Sequence, residues 1–172
     1  MDEPVIPPPA KLFVAIRCLD IEKRMQAERL LEKKFGDADY RTKEIPIPID
    51  LYEQGDRPIL TMVLVSYKKL ITREDIVKVK QITHAIEKKV CKSKEMKFSV
   101  DPGYLTLSNV YLASFKEFFH RTYLRKGVYL ENLYRYLAKR YQPWEWTPAE
   151  YRKPEALFFF HEMRRLYCNQ TS

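Results

Sequence analysis

The aromatic residues and most of the histidines are concentrated towards the end of the chain. Positions 101–172 contain 17 of the 23 aromatic residues and two of the three histidines. Tyrosine and tryptophan rings have polar tips that need hydrogen-bond partners when they are buried. This density therefore predicts a polar cavity, an interface or an extended hydrogen-bond network in the last part of the sequence.

His120 and Glu131 are the two candidates for proton transfer. An imidazole changes its charge near neutral pH, so His120 could act as an acid or a base, or could contact a phosphate together with Arg121. Glu131 is a lone carboxylate among tyrosines and could serve as a base if it is buried. The pair suggests a hydrolase. The alternative is structural: His120 would hold the end of a strand by hydrogen bonds, and Glu131 would form a hydrogen bond with a tyrosine.

Two further positions could contact a ligand. Asp101 precedes Pro-Gly, a pattern that predicts a tight turn stabilised by the aspartate side chain, and a ligand contact is the alternative. Trp146 lies between two prolines, where a large ring either closes a loop over the core or covers a planar ligand.

The motifs that identify many nucleotide, metal and acyl-transfer sites are absent from the sequence. There is no GxxxxGK(S/T) loop, and the four glycines are too scattered to form a glycine-rich phosphate loop. There is no HExxH or CxxC pair to ligate zinc and no GxSxG nucleophile motif. We therefore predict no metal site, and the sequence identifies no cofactor.

The chain is basic, with a formal net charge of +8, which favours anionic partners. Most of the excess lies on a predicted helix over residues 72–92, with its flanking loops. The lysines of this helix are Lys78, Lys80, Lys88, Lys89 and Lys92. The helix is either a solvated face or a patch that binds nucleic acid, so an RNA-binding module is an alternative function.

The elements that must position these residues follow the order β-α-β-β-α-β. The predicted strands are residues 11–17, 39–47, 59–66 and 97–100, and the predicted helices are residues 20–35 and 72–92. Asp20 is suited to cap the first helix and Gly36 to end it, while Thr72 and Asp75 suggest a capping box on the second. The order predicts an α+β fold with a ferredoxin-like antiparallel sheet and two helices on one face.

Beyond Gly103 the sequence predicts a C-terminal extension of hairpin and helix. Residues 120–130 predict a hairpin with a three-residue loop, in which Gly127 supplies the positive φ. Residues 128–141 fit both a strand and a helix, because their apolar side chains also recur at helical spacing. Pro154 predicts the first turn of a final helix. The predicted buried side of that helix includes Ala156, Phe159, Phe160, Met163, Leu166 and Tyr167.

Length and composition predict a cytoplasmic protein with one folded domain. Residues 1–10 contain four prolines, which predicts an extended N-terminal segment. Residues 11–172 are predicted to form a single α+β domain. Three widely spaced cysteines predict neither a disulfide framework nor a zinc site. We expect no membrane segment, because no apolar run approaches the ~20 residues that a spanning helix needs.

Several short motifs resemble those of an uncharacterised prokaryotic family. They are Asp101-Pro-Gly-Tyr-Leu105, His120-Arg-x-Tyr-Leu124, Gly127-Val-Tyr129 with Glu131, and Trp146-Thr-x-x-Glu-Tyr-Arg152. In this order they are similar to the domain-of-unknown-function 4416 family, for which the resemblance implies no established activity. It implies one group of candidate ligand-binding residues: Asp101, Tyr104, His120, Arg121, Tyr123, Glu131, Trp146, Tyr151 and Arg152. The chain departs from the family pattern at residues 139–141, where a glycine-containing turn is expected.

The leading functional hypothesis is a binding domain for an anionic small molecule or a nucleotide. The pocket would be formed by the aromatic C-terminal half, where Arg121 and Arg152 would receive the anion and the rings would stack on a planar group. The alternatives are an RNA-binding module on residues 72–92 and a hydrolase that uses His120 and Glu131.

Overall fold

The computed structural model describes residues 3–47, 59–93 and 97–172. The strands in these residues are β1 (Ala10–Cys18), β2 (Ala38–Arg41), β3 (Ile45–Pro46), β4 (Thr61–Ile71), β5 (Ser99–Leu105), β6 (Asn109–Ser114), β7 (Arg121–Arg125), β8 (Val128–Leu137) and β9 (Arg140–Pro143). The helices are α1 (Ile21–Phe35), α2 (Ile76–Val90) and α3 (Pro154–Thr171). None of the helices in the described part of the chain is long and apolar enough to cross a membrane.

All nine strands belong to one sheet. Its order is β2-β4-β1-β5-β6-β8-β7, with β3 paired to β4 and β9 paired to β8. Every pairing is antiparallel. The fold class is therefore α+β, as the sequence predicts. The C-terminal strands extend the sheet beyond β5, so the sheet is larger than the four-stranded one that we expected.

The helices cover both faces of this sheet. Side chains alternate across a strand, so successive residues of β1 enter different cores. Leu12 and Val14 pack beneath α1 and α2, whereas Phe13 and Ala15 pack beneath α3. Burial on both faces explains why β1 reads as a continuous apolar run.

The two N-terminal helices differ in how they begin. The Asp20 side chain accepts hydrogen bonds from two backbone N–H groups in the first turn of α1, and Gly36 follows the helix at φ 85°. Both predictions for α1 are confirmed. Before α2, residues Arg73–Asp75 form a 3₁₀ turn, and Thr72 makes no side-chain capping bond. The predicted capping box is therefore wrong.

The predicted turn at Asp101 is also wrong, because residues 101–103 lie in the middle of β5. Pro102 has no N–H to donate, and it lies just outside the part of β5 that pairs with β6. Gly103 is required by close packing. An added Cβ would lie 2.2 Å from the Tyr111 carbonyl oxygen and 2.4 Å from Phe13 Cζ.

The last strands are joined by two-residue turns with positive φ at both central positions. The first turn has Lys126 at φ 52° and Gly127 at φ 75°, so it is one residue shorter than predicted. The second has Ala138 at φ 51° and Lys139 at φ 61°, so it forms without glycine. This geometry is that of the type I′ hairpin turn.

Residues 128–137 are a strand, which decides the choice between strand and helix that the sequence leaves open. The pairing of β8 with β6 shifts register at Leu133, opposite the step from Val110 to Tyr111. A bulge of this kind interrupts the alternation of buried and exposed side chains. The apolar residues of β8 therefore lose the period of two that would have identified a strand.

Candidate functional site

A cleft of about 580 Å³ lies against α2, at the ends of β5 and β6 where these two strands no longer pair with each other. The pairing of these strands stops at Gly103 and Leu112, and both strands continue beyond it. The residues that line the cleft are Arg17, Lys80, His84, Glu87, Ser99, Asp101, Leu112, Ala113, Ser114, Phe115, Lys116, Arg121, Glu131, Pro148 and Glu150.

Asp101 is the central charge of one wall. One carboxylate oxygen accepts from Lys80 Nζ at 2.8 Å, and the other accepts from Ser99 Oγ at 2.8 Å and from Arg17 Nη1 at 3.4 Å. Burial alone would raise the pKa of Asp101, but the charges of Lys80 and Arg17 outweigh it and hold that pKa below its usual range. Asp101 therefore stays ionised with both oxygens engaged.

Arg17 extends this wall towards the loop that precedes α3. Its Nη2 donates to Glu150 Oε1 at 2.9 Å, and its guanidinium lies 5.5 Å from the centre of the Tyr151 ring. Burial raises the pKa of Tyr151, so its hydroxyl keeps its proton. That hydroxyl and Arg17 Nε are buried with no hydrogen-bond partner among the described residues.

Glu131 is the central charge of the opposite wall. It is 2% exposed and accepts from His120 Nε2 at 2.9 Å and from Arg121 Nε at 3.0 Å. The register of β7 on β8 places Arg121 directly opposite Glu131, as a cross-strand ion pair. Arg121 Nη1 also donates to Ser114 Oγ at 3.2 Å and to the Lys116 carbonyl at 3.0 Å.

His120 lies behind Glu131 in a stack of rings. Its imidazole is parallel to Trp146, with centroids 5.0 Å apart, and Trp146 is parallel to Trp144 at 5.2 Å. The His120 side chain is 6% exposed, and its Nδ1 has no hydrogen-bond partner among the described residues. Trp146 Nε1 donates to the Asn132 carbonyl at 2.8 Å. The stack supports Glu131 from inside the protein.

Comparison with known proteins places the chain in a family. The profile of a family described as "Domain of unknown function (DUF4416)" matches residues 8–167. This chain belongs to the DUF4416 family. The match confirms the resemblance inferred from the sequence. No curated protein and no solved structure matches the chain.

The DUF4416 chain brings together part of the group of candidates. Asp101, Arg121 and Glu131 line the cleft, and His120, Trp146 and Tyr151 lie behind its walls.

The other three candidates lie elsewhere. Tyr104 is buried beside Tyr111 in the core beneath α1 and α2, and burial raises the pKa of Tyr104 to about 12. Tyr123 is 57% exposed on β7. Arg152 donates to the backbone carbonyls of Trp144, Glu145 and Thr147, so it closes the tryptophan-containing loop rather than lining the cleft.

Several charged residues of the cleft were missed as ligand-binding candidates. The sequence predicts Lys80 on a possible nucleic-acid surface, whereas in the structure it is 4% exposed and bonded to Asp101. The signal was present in the sequence, because Lys80 lies within the apolar stripe of α2 beside Ile76 and Thr83. Arg17 likewise ends the apolar run of β1. The remaining lysines of the predicted patch, Lys78, Lys88, Lys89 and Lys92, are exposed.

The polar groups left free in the cleft are donors on the wall of Glu131 and acceptors on the wall of Asp101. The Lys116 ammonium has no carboxylate partner, and Arg121 Nη2 no acceptor, among the described residues. The acceptors that receive no hydrogen bond are one oxygen of Glu150 and Glu87 Oε1, which lies 3.9 Å from His84 Nδ1. Burial is the main cause that raises the pKa of Glu87. Within the described residues no group of three or more His, Cys, Asp or Glu side chains is arranged to hold a metal ion.

Proposed function

We propose that this DUF4416 protein binds a small molecule with an anionic group, such as a phosphate ester or a nucleotide, in the cleft beside β5, β6 and α2. The observation that carries the proposal is the excess of free donors on one wall. The Lys116 ammonium and Arg121 Nη2 have no partner among the described residues, whereas both oxygens of Asp101 and of Glu131 are engaged. An anion would satisfy these donors through charge-assisted hydrogen bonds.

The size and lining of the cleft support a ligand of nucleotide dimensions. Its volume of about 580 Å³ is typical of small-molecule sites. Phe115 contacts Lys80 and His84 with its ring and is 38% exposed at the cleft, where its exposed part offers an apolar contact to a planar group. The free oxygens of Glu150 and Glu87 would accept from the hydroxyl or amino groups of the same molecule.

Thermal denaturation with inorganic phosphate, AMP, ATP and GTP tests the proposal. A ligand present at about 100 times its Kd should stabilise the fold by about 2.7 kcal/mol, which corresponds to a Tm increase of about 5 °C or more. Lys116→Gln should weaken binding by about tenfold, because one charge-assisted bond is lost.

Lys43→Gln is the matched control, since Lys43 is an exposed lysine that follows β2, the strand at the opposite edge of the sheet from β7. It should leave the affinity unchanged. A panel in which no compound raises the Tm would overturn the proposal. Equal weakening by both substitutions would show a non-specific charge effect.

An RNA-binding module is a second candidate, supported by the exposed lysines of α2. A second cavity of about 490 Å³ continues from the cleft, because both share His84 and Glu87, and it is lined by Lys88 and Lys92. A single-stranded RNA should then bind with an affinity that falls steeply with salt. The combined change Lys88→Gln with Lys92→Gln should reduce the gel shift.

The matched control is Lys33→Gln with Lys34→Gln, two exposed lysines at the end of α1. Absence of any shift at low ionic strength would exclude this candidate.

The hydrolase hypothesis stays a prediction. His120 and Glu131 are 2.9 Å apart, but that contact occupies His120 Nε2.

We also propose that β1, β2, β4 and β5, together with α1 and α2, form a ferredoxin-like unit. The chain order β1-α1-β2-β4-α2-β5 and the sheet order β2-β4-β1-β5 support this assignment. In this view β6–β9 and α3 are additions to the unit, and the cleft lies where the addition begins.

A further inference from the structure

The outer edge of β7 is open. In the described part of the chain this strand ends the sheet and pairs only with β8. Residues 122–125 are all exposed. The unpaired N–H and C=O groups of an edge strand are a template on which another extended segment can add.

Large apolar side chains lie next to this edge. Phe119 is 83% exposed, Tyr123 57% and Phe118 55%. The rings of Phe118 and Phe119 are 5.1 Å apart, so they form one patch. An exposed patch of this kind is typical of an interaction surface.

The patch is held in place from inside the protein. Phe118 and Phe119 contact the edge or face of the His120 ring at 5.1 and 4.9 Å, and His120 is fixed by Glu131 and Trp146. A surface that is ordered before binding loses less entropy when a partner docks. The ring stack of His120, Trp146 and Trp144 therefore fixes the position of one cleft wall and of this outer patch.

The charge around the edge indicates the chemistry of the partner. Residues 116–126 contain one acidic residue, Glu117, and four basic ones, which are Lys116, Arg121, Arg125 and Lys126. Arg121 is paired with Glu131. The other three cations form no ion pair within the described residues. An acidic partner would complement them.

Charge disfavours self-pairing of two copies along this edge. Antiparallel self-pairing centred on Tyr123 would place Arg121 opposite the second copy's Arg125, and like charges in directly opposed positions are destabilising. We propose that β7 is the docking site for an extended acidic segment of another polypeptide, which adds to the sheet as a strand and covers Phe118 and Phe119.

The test begins with a library of random phage-displayed peptides of about ten residues, long enough to pair along the whole strand. Selection against the full chain should enrich acidic sequences with alternating apolar residues. The most enriched peptide, synthesised with fluorescein, should bind Phe119→Ser and Arg125→Glu at least about tenfold more weakly by anisotropy. The matched controls are Phe158→Ser and Arg29→Glu, at exposed positions on α3 and α1.

Backbone pairing has its own readout. Two peptides are made, one methylated at the odd-numbered backbone nitrogens and one at the even-numbered ones. Only one of the two should lose binding, since only one set of N–H groups faces β7. Circular dichroism and the Tm of each variant confirm that it is folded. The proposal is overturned if no acidic sequence is enriched, if both methylated peptides bind fully, or if light scattering shows a dimer that Arg125→Glu dissociates.

Discussion

Glu131 connects the cleft to the ring stack behind it. Its two oxygens accept from His120 and Arg121, and it is almost completely buried. Glu131→Gln removes the charge that compensates Arg121, and loss of one partner of a buried ion pair costs about 3–5 kcal/mol. We expect a loss of about 3 kcal/mol in the free energy of unfolding, measured with urea.

The control for this substitution is Glu117→Gln, in the exposed loop before β7. It should change the stability by less than about 0.5 kcal/mol. Similar stabilities for the two variants would mean that Glu131 does not hold the cleft wall together.

Because of Asp101, the free energy of unfolding should depend on pH in the acid range. Its pKa is lowered in the folded protein, since Lys80 and Arg17 outweigh burial, so the folded state binds the proton more weakly than the unfolded state. The stabilisation is complete above the unfolded pKa of about 3.9 and is lost as the pH falls through the lower folded value. Asp101→Asn should therefore cost about 3 kcal/mol at neutral pH.

The difference between this variant and the natural chain should shrink as the pH falls below about 4. Urea denaturation across that range measures it. Asp37→Asn is the control, because that carboxylate is 81% exposed. A constant difference at all pH values would contradict the role of the ion pairs.

Among the secondary-structure elements, the β8–β9 hairpin has an unusual turn, because its two central residues are of types that disfavour positive φ. Ala138 and Lys139 both have positive φ, which costs an ordinary residue roughly 1 kcal/mol relative to glycine or asparagine. The combined change Ala138→Asn with Lys139→Gly should raise the stability by about 1 kcal/mol. Thermal denaturation measures the gain, and Ala138→Val should lower the Tm.

This hairpin also shows why the strand was hard to predict. The family pattern suggested a glycine-containing turn, and the chain instead has Ala138-Lys139 with a bulge at Leu133 in the preceding strand. Both features depend on pairing with β6 and β9. The caps of α1 were predictable, because Asp20 and Gly36 act within one turn of the helix.

At the scale of the whole molecule, α3 completes the second core. Deletion of residues 154–172 would expose apolar side chains of the sheet, including Phe13, Met62 and Leu64. It would also leave the buried Lys11 Nζ without Gln170, which accepts from it at 2.8 Å. We expect the shortened chain to lose its cooperative thermal transition.

Deletion of residues 1–7 is the contrasting change. Residues 3–9 are exposed and form neither helix nor strand, and Pro9, which accepts from Tyr167 Oη at 2.7 Å, is retained. The Tm should change by less than about 4 °C, since less than about 1 kcal/mol is involved. Equal loss of cooperativity in both deletions would contradict the assignment of α3 to the core.

The class of the fold, the first helix with its caps, the buried strand β1 and the family can all be predicted without the structure. It also identified Asp101, His120, Arg121 and Glu131 as residues of one region. These features depend on spacing and on contacts within a few residues, which a linear pattern records.

The pairing of the charged residues, by contrast, becomes visible only in the folded chain. Asp101 binds Arg17, which is 84 positions away, and Lys80, which is 21 away, and the sequence pattern of each residue is consistent with several partners. Pro102 is tolerated in β5 because β5 and β6 no longer pair at this position, so its missing N–H is not needed for that pairing. The free energy of these contacts arises from elements brought together by the sheet, so no local pattern specifies them.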